Sequence, residues 1–117
     1  MSDIKRFHSS ARYSECVVHN GTIYLAGQVA DDASQDIGGQ TAQVLAAIDR
    51  LLAEAGSDKT RILLAQVFLA DIADFPGMNA VWDTWVAPGN TPARATVQAT
   101  LARPVWKIEI VITAAQP

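Results

Sequence analysis

The sequence has a single cysteine, Cys16, among 117 residues, so no intrachain disulfide exists and the fold needs no oxidising compartment. Imidazole is almost as scarce. Only His8 and His19 are present, at no spacing that would assemble with Cys16 the three or four converging ligands of a metal site. No apolar stretch approaches the roughly 18–20 residues of a membrane span, and the opening MSDIKRFHSSARYSE lacks the apolar core of a secretory leader. The expectation is a soluble cytoplasmic protein with no membrane partner. Twelve acidic residues against nine basic ones leave a net charge of −3, which argues against nucleic-acid binding driven by bulk electrostatics. Gly38-Gly39 has neither the GxGxxG nor the Walker spacing, so a phosphate loop for a nucleotide cofactor is not expected.

Apolar residues, in contrast, are plentiful. They make up 50% of the chain, with a mean hydropathy of +0.13, which is rich for a domain of this size. The length suits one domain, residues 1–117, and the apolar surplus suggests that part of the surface belongs to a partner. Asn20-Gly21 separates Cys16-Val17-Val18 from Thr22-Ile23-Tyr24-Leu25, the pattern of a hairpin closed by a type I′ turn. Residues 31–39 read as a surface loop. From Gln40 the period changes: Val44, Leu45, Ile48, Leu51, Leu52 and Ala55 recur at helical spacing and stop at Gly56.

Ile62 to Ala70 is a short, nearly all-apolar run, read as a buried strand. Asp74 offers an N-cap to a second helix carrying Phe75, Met78, Trp82, Trp85 and Val86, which Pro88-Gly89 ends. Residues 94–101 alternate, with Arg94, Thr96, Gln98 and Thr100 on one side and Ala95, Val97, Ala99 and Leu101 on the other. A last strand sets Trp106, Ile108, Ile110 and Ile112 against Lys107, Glu109, Val111 and Thr113. The order β-β-α-β-α-β-β predicts an α+β sandwich, with two helices on one face of a mixed, mostly antiparallel sheet. Arg94 and Glu109 are both expected on the uncovered face. That face is too mixed for plain solvent, so a symmetric oligomer with clefts between subunits would use it.

Cys16 and His19, three positions apart on a strand, face opposite sides and cannot pair as nucleophile and base. Arg94 follows Thr91-Pro92-Ala93, where a rigid proline precedes a guanidinium able to fork onto a carboxylate; the plainer role is a surface or interface salt bridge. Glu109 sits mid-strand among isoleucines and valine, where burial would raise its pKa and make it a proton shuttle; the alternative is structural pairing with Arg94 or Lys107. The Met78, Trp82, Trp85 stripe reads as core rather than as an aromatic cage.

Asn90-Thr91-Pro92-Ala93-Arg94-Ala95-Thr96-Val97-Gln98-Ala99, followed by Val105-Trp106-Lys107-Ile108-Glu109-Ile110, resembles the C-terminal signature of the RidA (YjgF) family. Tyr13-Ser14, Leu25-Ala26-Gly27-Gln28-Val29, Gln40-Thr41, and Asp74-Phe75 through Met78-Asn79 are similar to family positions in the same order, and residues 82–86 look closer to the YoaB-like paralogues. The resemblance implies a chorismate-mutase-like fold and a homotrimer with three clefts between subunits. It implies a 2-iminobutanoate/2-iminopropanoate deaminase-type hydrolase, turning 2-imino acids such as those from 2-aminoacrylate into 2-oxo acids and ammonia without metal or organic cofactor. By the same resemblance Arg94 would hold the substrate carboxylate and Glu109 would position or activate water, while Tyr13, Asn79 and Thr96 would line the cleft. Two positions depart from the family pattern: Ala26 replaces the usual serine before Gly-Gln, and Thr96 the usual cysteine. The competing readings are a trimer that binds 2-oxo acids or acts as a chaperone without turnover, and an endoribonuclease, which the charge disfavours.

Overall fold

Asn20 and Gly21 take φ values of 52° and 76°, both in the left-handed region a type I′ turn demands, and so close the expected hairpin. The computed structural model describes residues 3–117. Its elements run β1 (Lys5–Ser9), β2 (Ser14–His19), β3 (Thr22–Leu25), α1 (Ile37–Glu54), β4 (Ile62–Leu69), α2 (Phe75–Trp85), β5 (Ala93–Gln98) and β6 (Ile108–Ala115). The six strands form one sheet in the order β1-β2-β3-β6-β4-β5. Every neighbouring pair is antiparallel except β4–β5, which runs parallel because α2 carries the chain back across the sheet between them.

The additional strand β1 extends the expected order at its start. Only Phe7 of its five residues packs toward the core, and His8, at φ 51°, is absent from the ladder with β2. A polar edge strand of this kind leaves no apolar alternation to read. His8 Nε2 instead lies 2.6 Å from Glu54 Oε2, tying the edge to the last residue of α1.

α1 begins at Ile37, so the segment expected as loop through Gly39 is helical over its last three residues. Asp36 is the N-cap, its Oδ1 accepting from Gly39 N at 2.9 Å, and the side chain of Gln35 fills the space a Cβ on Gly39 would need. The far end follows the sequence: Gly56 at φ 78°, with Ser57 N bonded to Leu52 O and Gly56 N to Ala53 O, forms a Schellman motif. α2 starts where expected, but the Asp74 side chain makes no capping bond. Asp71 does the capping one turn earlier, accepting from Ala73 N at 2.9 Å in the short 3-10 turn that leads into the helix.

Both helices lie on one sheet face. Cys16, Ile23, Val67, Leu69, Ile108, Ile110 and Ile112 meet Val44, Ile48, Leu52, Met78 and Trp82 there, all buried. The result is a two-layer slab about 20 Å thick, with no helix of the described residues on the second sheet face. On that bare face lie Tyr24 and Val97, 51% and 46% exposed, beside half-buried Val17, Phe68 and Val111. No helix among the described residues is long and apolar enough to cross a membrane.

Candidate functional site

The register across β6, β4 and β5 decides where each candidate side chain goes. Ile112 opposes Ala65, which opposes Arg94; Ile110 opposes Val67, which opposes Thr96. Ile110, Ile112, Ala65 and Val67 are all core residues, so Arg94 and Thr96 share their face, the one under the helices. Glu109 opposes Phe68, which opposes Val97, on the bare face. Arg94 and Glu109 are therefore on opposite faces of the sheet, two strands and three register positions apart, roughly 14 Å in the sheet plane before its thickness is added. The expectation that both lie on the uncovered face is overturned for Arg94. The apolar partners of its strand, Ala95 and Val97, are the exposed ones.

Arg94 tolerates the helix side because α2 presents ring faces to it. Its guanidinium carbon lies 5.0 Å from the centroid of Trp82 and 5.7 Å from that of Phe75, and Nη1 is 4.0 Å from Met78 Sδ. Among the described residues no carboxylate stands within ion-pair distance of it. The salt-bridge alternatives for Arg94 and Glu109 are thus not realised among the described residues. Two residues along the same face, Thr96 Oγ1 is buried without a hydrogen-bond partner. Asn79 follows Phe75 by one helical turn, on the same side of α2 as the two rings. Trp82 is buried as the core reading expects, yet it also touches the charged group, a dual role that spacing does not reveal.

Glu109 is half-buried, with Gly27 beneath it; a methyl group on Gly27 would overlap the carboxylate. The segment around Gly27 is held there by reciprocal bonds between Gln28 and Ile110, Gln28 N to Ile110 O at 2.9 Å and Ile110 N to Gln28 O at 3.1 Å. Gln28 Nε2 also donates to Glu15 Oε2 and Ala26 O, each at 3.0 Å. Leu25-Ala26-Gly27-Gln28 is thus the support of Glu109, a link that only strand pairing exposes. Tyr13 lies outside this cluster, 58% exposed at the β1–β2 turn, where its carbonyl accepts from Ser10 N at 2.8 Å.

Gln40 is a second buried polar centre. Its amide nitrogen donates to the carbonyls of Ala33, Gln35 and Val105, and its oxygen accepts from Lys107 N at 2.9 Å. One side chain therefore joins the lead-in to α1 with the loop that delivers Glu109. Cys16 faces the core, where burial and the nearby negative charge of Glu54 push its thiol above the ordinary range, so it stays protonated. Two surface hollows, about 300 Å³ between α1 and α2 and about 170 Å³ beside His19 and Gln116, include none of Arg94, Glu109, Tyr13, Thr96 and Asn79. Among the described residues no three His, Cys, Asp or Glu side chains converge.

The family model described as Endoribonuclease L-PSP matches residues 3–116. The chain belongs to the RidA/YjgF family. Its similarity to the RutC family protein YoaB of Escherichia coli, 48% identity over 96% of this chain and 97% of that one, places it with the YoaB-like members. A crystal structure of a YjgF-family protein from Neisseria meningitidis superposes with a TM-score of 0.96 at 53% identity, covering 98% of this chain and 96% of the other. A more distant RidA/YjgF relative, named 2-iminobutanoate/2-iminopropanoate deaminase, from Rattus norvegicus, is 34% identical over 89% of this chain and 80% of its own.

Proposed function

We propose that this RidA/YjgF member is an imine deaminase that hydrolyses small 2-imino acids to 2-oxo acids and ammonia, in clefts between the copies of a homotrimer. The observation that carries the reading is the separation of Arg94 from Glu109 onto opposite faces of a sheet with one bare, partly apolar face. A second copy set against that face supplies Arg94 of one chain to Glu109 of the next. The name of the rat relative supports the reaction class.

In this reading the substrate carboxylate forks onto the Arg94 guanidinium, whose donors meet no carboxylate among the described residues. Water oriented by Glu109 adds to the C=N carbon. Glu109 takes the proton that water loses as the C–O bond forms and gives it to the nitrogen, leaving an amino-alcohol; it then carries the hydroxyl proton to the same nitrogen, so that the C–N bond breaks, ammonia leaves and the C=O bond closes. The imine is already electrophilic, so orientation and proton transfer are what the protein contributes. Backbone groups of Thr96 meet the imine or oxo end, with Asn79 and Tyr13 at the cleft walls. No cofactor takes part.

The test couples an amino-acid oxidase to semicarbazone formation, so that imine escaping hydrolysis is counted. Arg94→Ala abolishes the acceleration, and Glu109→Gln lowers turnover more than it lowers binding of a 2-oxo acid. Full activity of Arg94→Ala overturns the clamp, and equal loss of binding and turnover in Glu109→Gln makes that residue structural. A second reading, saturable 2-oxo acid binding without turnover, is favoured by Ala26, which brings no hydroxyl beside Gly27. Binding without ammonia release selects it.

A further inference from the structure

We infer that Trp82 and Phe75 are positioning residues for Arg94, a two-ring seat that holds its guanidinium over ring faces and, apart from the long Nη1 contact to Met78 Sδ, leaves its N–H donors to a ligand carboxylate. This rests on the clamp reading of Arg94 given above. A half-buried guanidinium ordinarily takes a carboxylate partner, and among the described residues Arg94 has none. What it has are ring centroids at 5.0 and 5.7 Å, within the roughly 6 Å over which an aromatic face attracts a cation. The distinction matters chemically. A protein carboxylate would occupy the same donors that a substrate carboxylate needs, whereas a ring face attracts the cation without bringing a competing carboxylate.

The sequence builds the seat by spacing. Phe75 opens α2 and Trp82 follows seven residues later, so both rings fall on one helix face, with Met78 between them. The strand that carries Arg94 also fixes the helix: Gln98 Oε1 accepts from Ile72 N at 2.9 Å, anchoring the turn from which α2 starts to the end of β5. Thr96, on the same strand face, adds a buried hydroxyl without a partner, a second polar group awaiting a ligand.

The experiment measures steady-state imine hydrolysis, and binding of 2-oxobutanoate as a non-reacting probe, for Phe75→Leu, Trp82→Leu, Trp82→Phe and Arg94→Ala. Losing one ring face raises KM and the probe's Kd about fivefold in each leucine variant, with kcat within about twofold, because the clamp serves ground and transition state alike. Trp82→Phe keeps a face and stays within about twofold of the parent. Trp82 is buried, so Trp82→Leu carries a folding risk; Phe75, 37% exposed, does not share it, and Phe75→Leu decides the matter if the other fails to fold. A variant that merely unfolds in part loses kcat at unchanged KM. The seat is overturned if the leucine variants show that pattern, or bind the probe like the parent while Arg94→Ala does not. If Arg94→Ala itself binds like the parent, the clamp reading falls first and the seat with it.

Discussion

Replacing Gly27 by alanine separates the stability of this fold from its chemistry. The added methyl overlaps the Glu109 carboxylate, and the obstructing atoms are the far end of a flexible side chain rather than backbone. The carboxylate must retreat by about 1 Å, which costs of order 1 kcal/mol in an off-rotamer side chain. Gly27 does not sit at positive φ, so the smaller conformational freedom of alanine in the unfolded chain returns about 0.4–1 kcal/mol. The net change in stability is within about 1 kcal/mol, readable as a urea midpoint close to the parent's. Displacing a group that orients water by about 1 Å costs as much as 100-fold in turnover. Gly27→Ala is therefore expected to fold, to bind a 2-oxo acid on Arg94, and to lose kcat by about two orders of magnitude in the imine assay. Full activity would refute the role given to Glu109, and a collapse of stability by more than about 3 kcal/mol would refute the claim that the obstruction is only a side-chain end.

Gln40→Leu, at a fully buried site, strips partners from Lys107 N and three carbonyls, and is expected to cost about 3 kcal/mol in urea unfolding. Gly21→Ala places a Cβ at φ 76° and is expected to lose about 1–2 kcal/mol in the same measurement while leaving activity intact. The Cys16 thiol is held above its ordinary value, so the folded state keeps a proton that the unfolded chain releases. Stability is then complete below that ordinary value and falls as pH rises past about 9 toward the folded value; Cys16→Ala flattens this part of the stability–pH curve, and an unchanged slope would contradict the assignment.

Elements whose burial follows a single period were legible in the sequence. The Asn20-Gly21 turn, the end of α1 at Gly56, and the buried isoleucines of β6 all pair a local signal with a matching packing role. β1 was hidden because one core residue in a polar edge strand makes no pattern. The start of α1 was misplaced because Gly38-Gly39 reads as loop, while the facts that make it helical, the Asp36 cap and Gln35 lying over Gly39, are visible only in three dimensions. Strand alternation alone places Arg94 on the wrong face, for a physical reason. Alternation assigns polar side chains outward, and here the cation finds its stabilisation on aromatic faces under a helix. The residues resembling the family signature were found from sequence, but that Arg94 and Glu109 cannot meet within one chain required the strand register.

The central claim is that a complete site needs two chains, and subunit complementation tests it most directly. Arg94→Ala and Glu109→Gln protomers, each inactive alone, are co-refolded in equal amounts and assayed for imine hydrolysis. In a cyclic trimer assembled at random, about one cleft in four joins an intact Arg94 from one protomer to an intact Glu109 from its neighbour, so about a quarter of the parent activity returns. Activity no greater than that of the two variants measured separately would contradict a shared site.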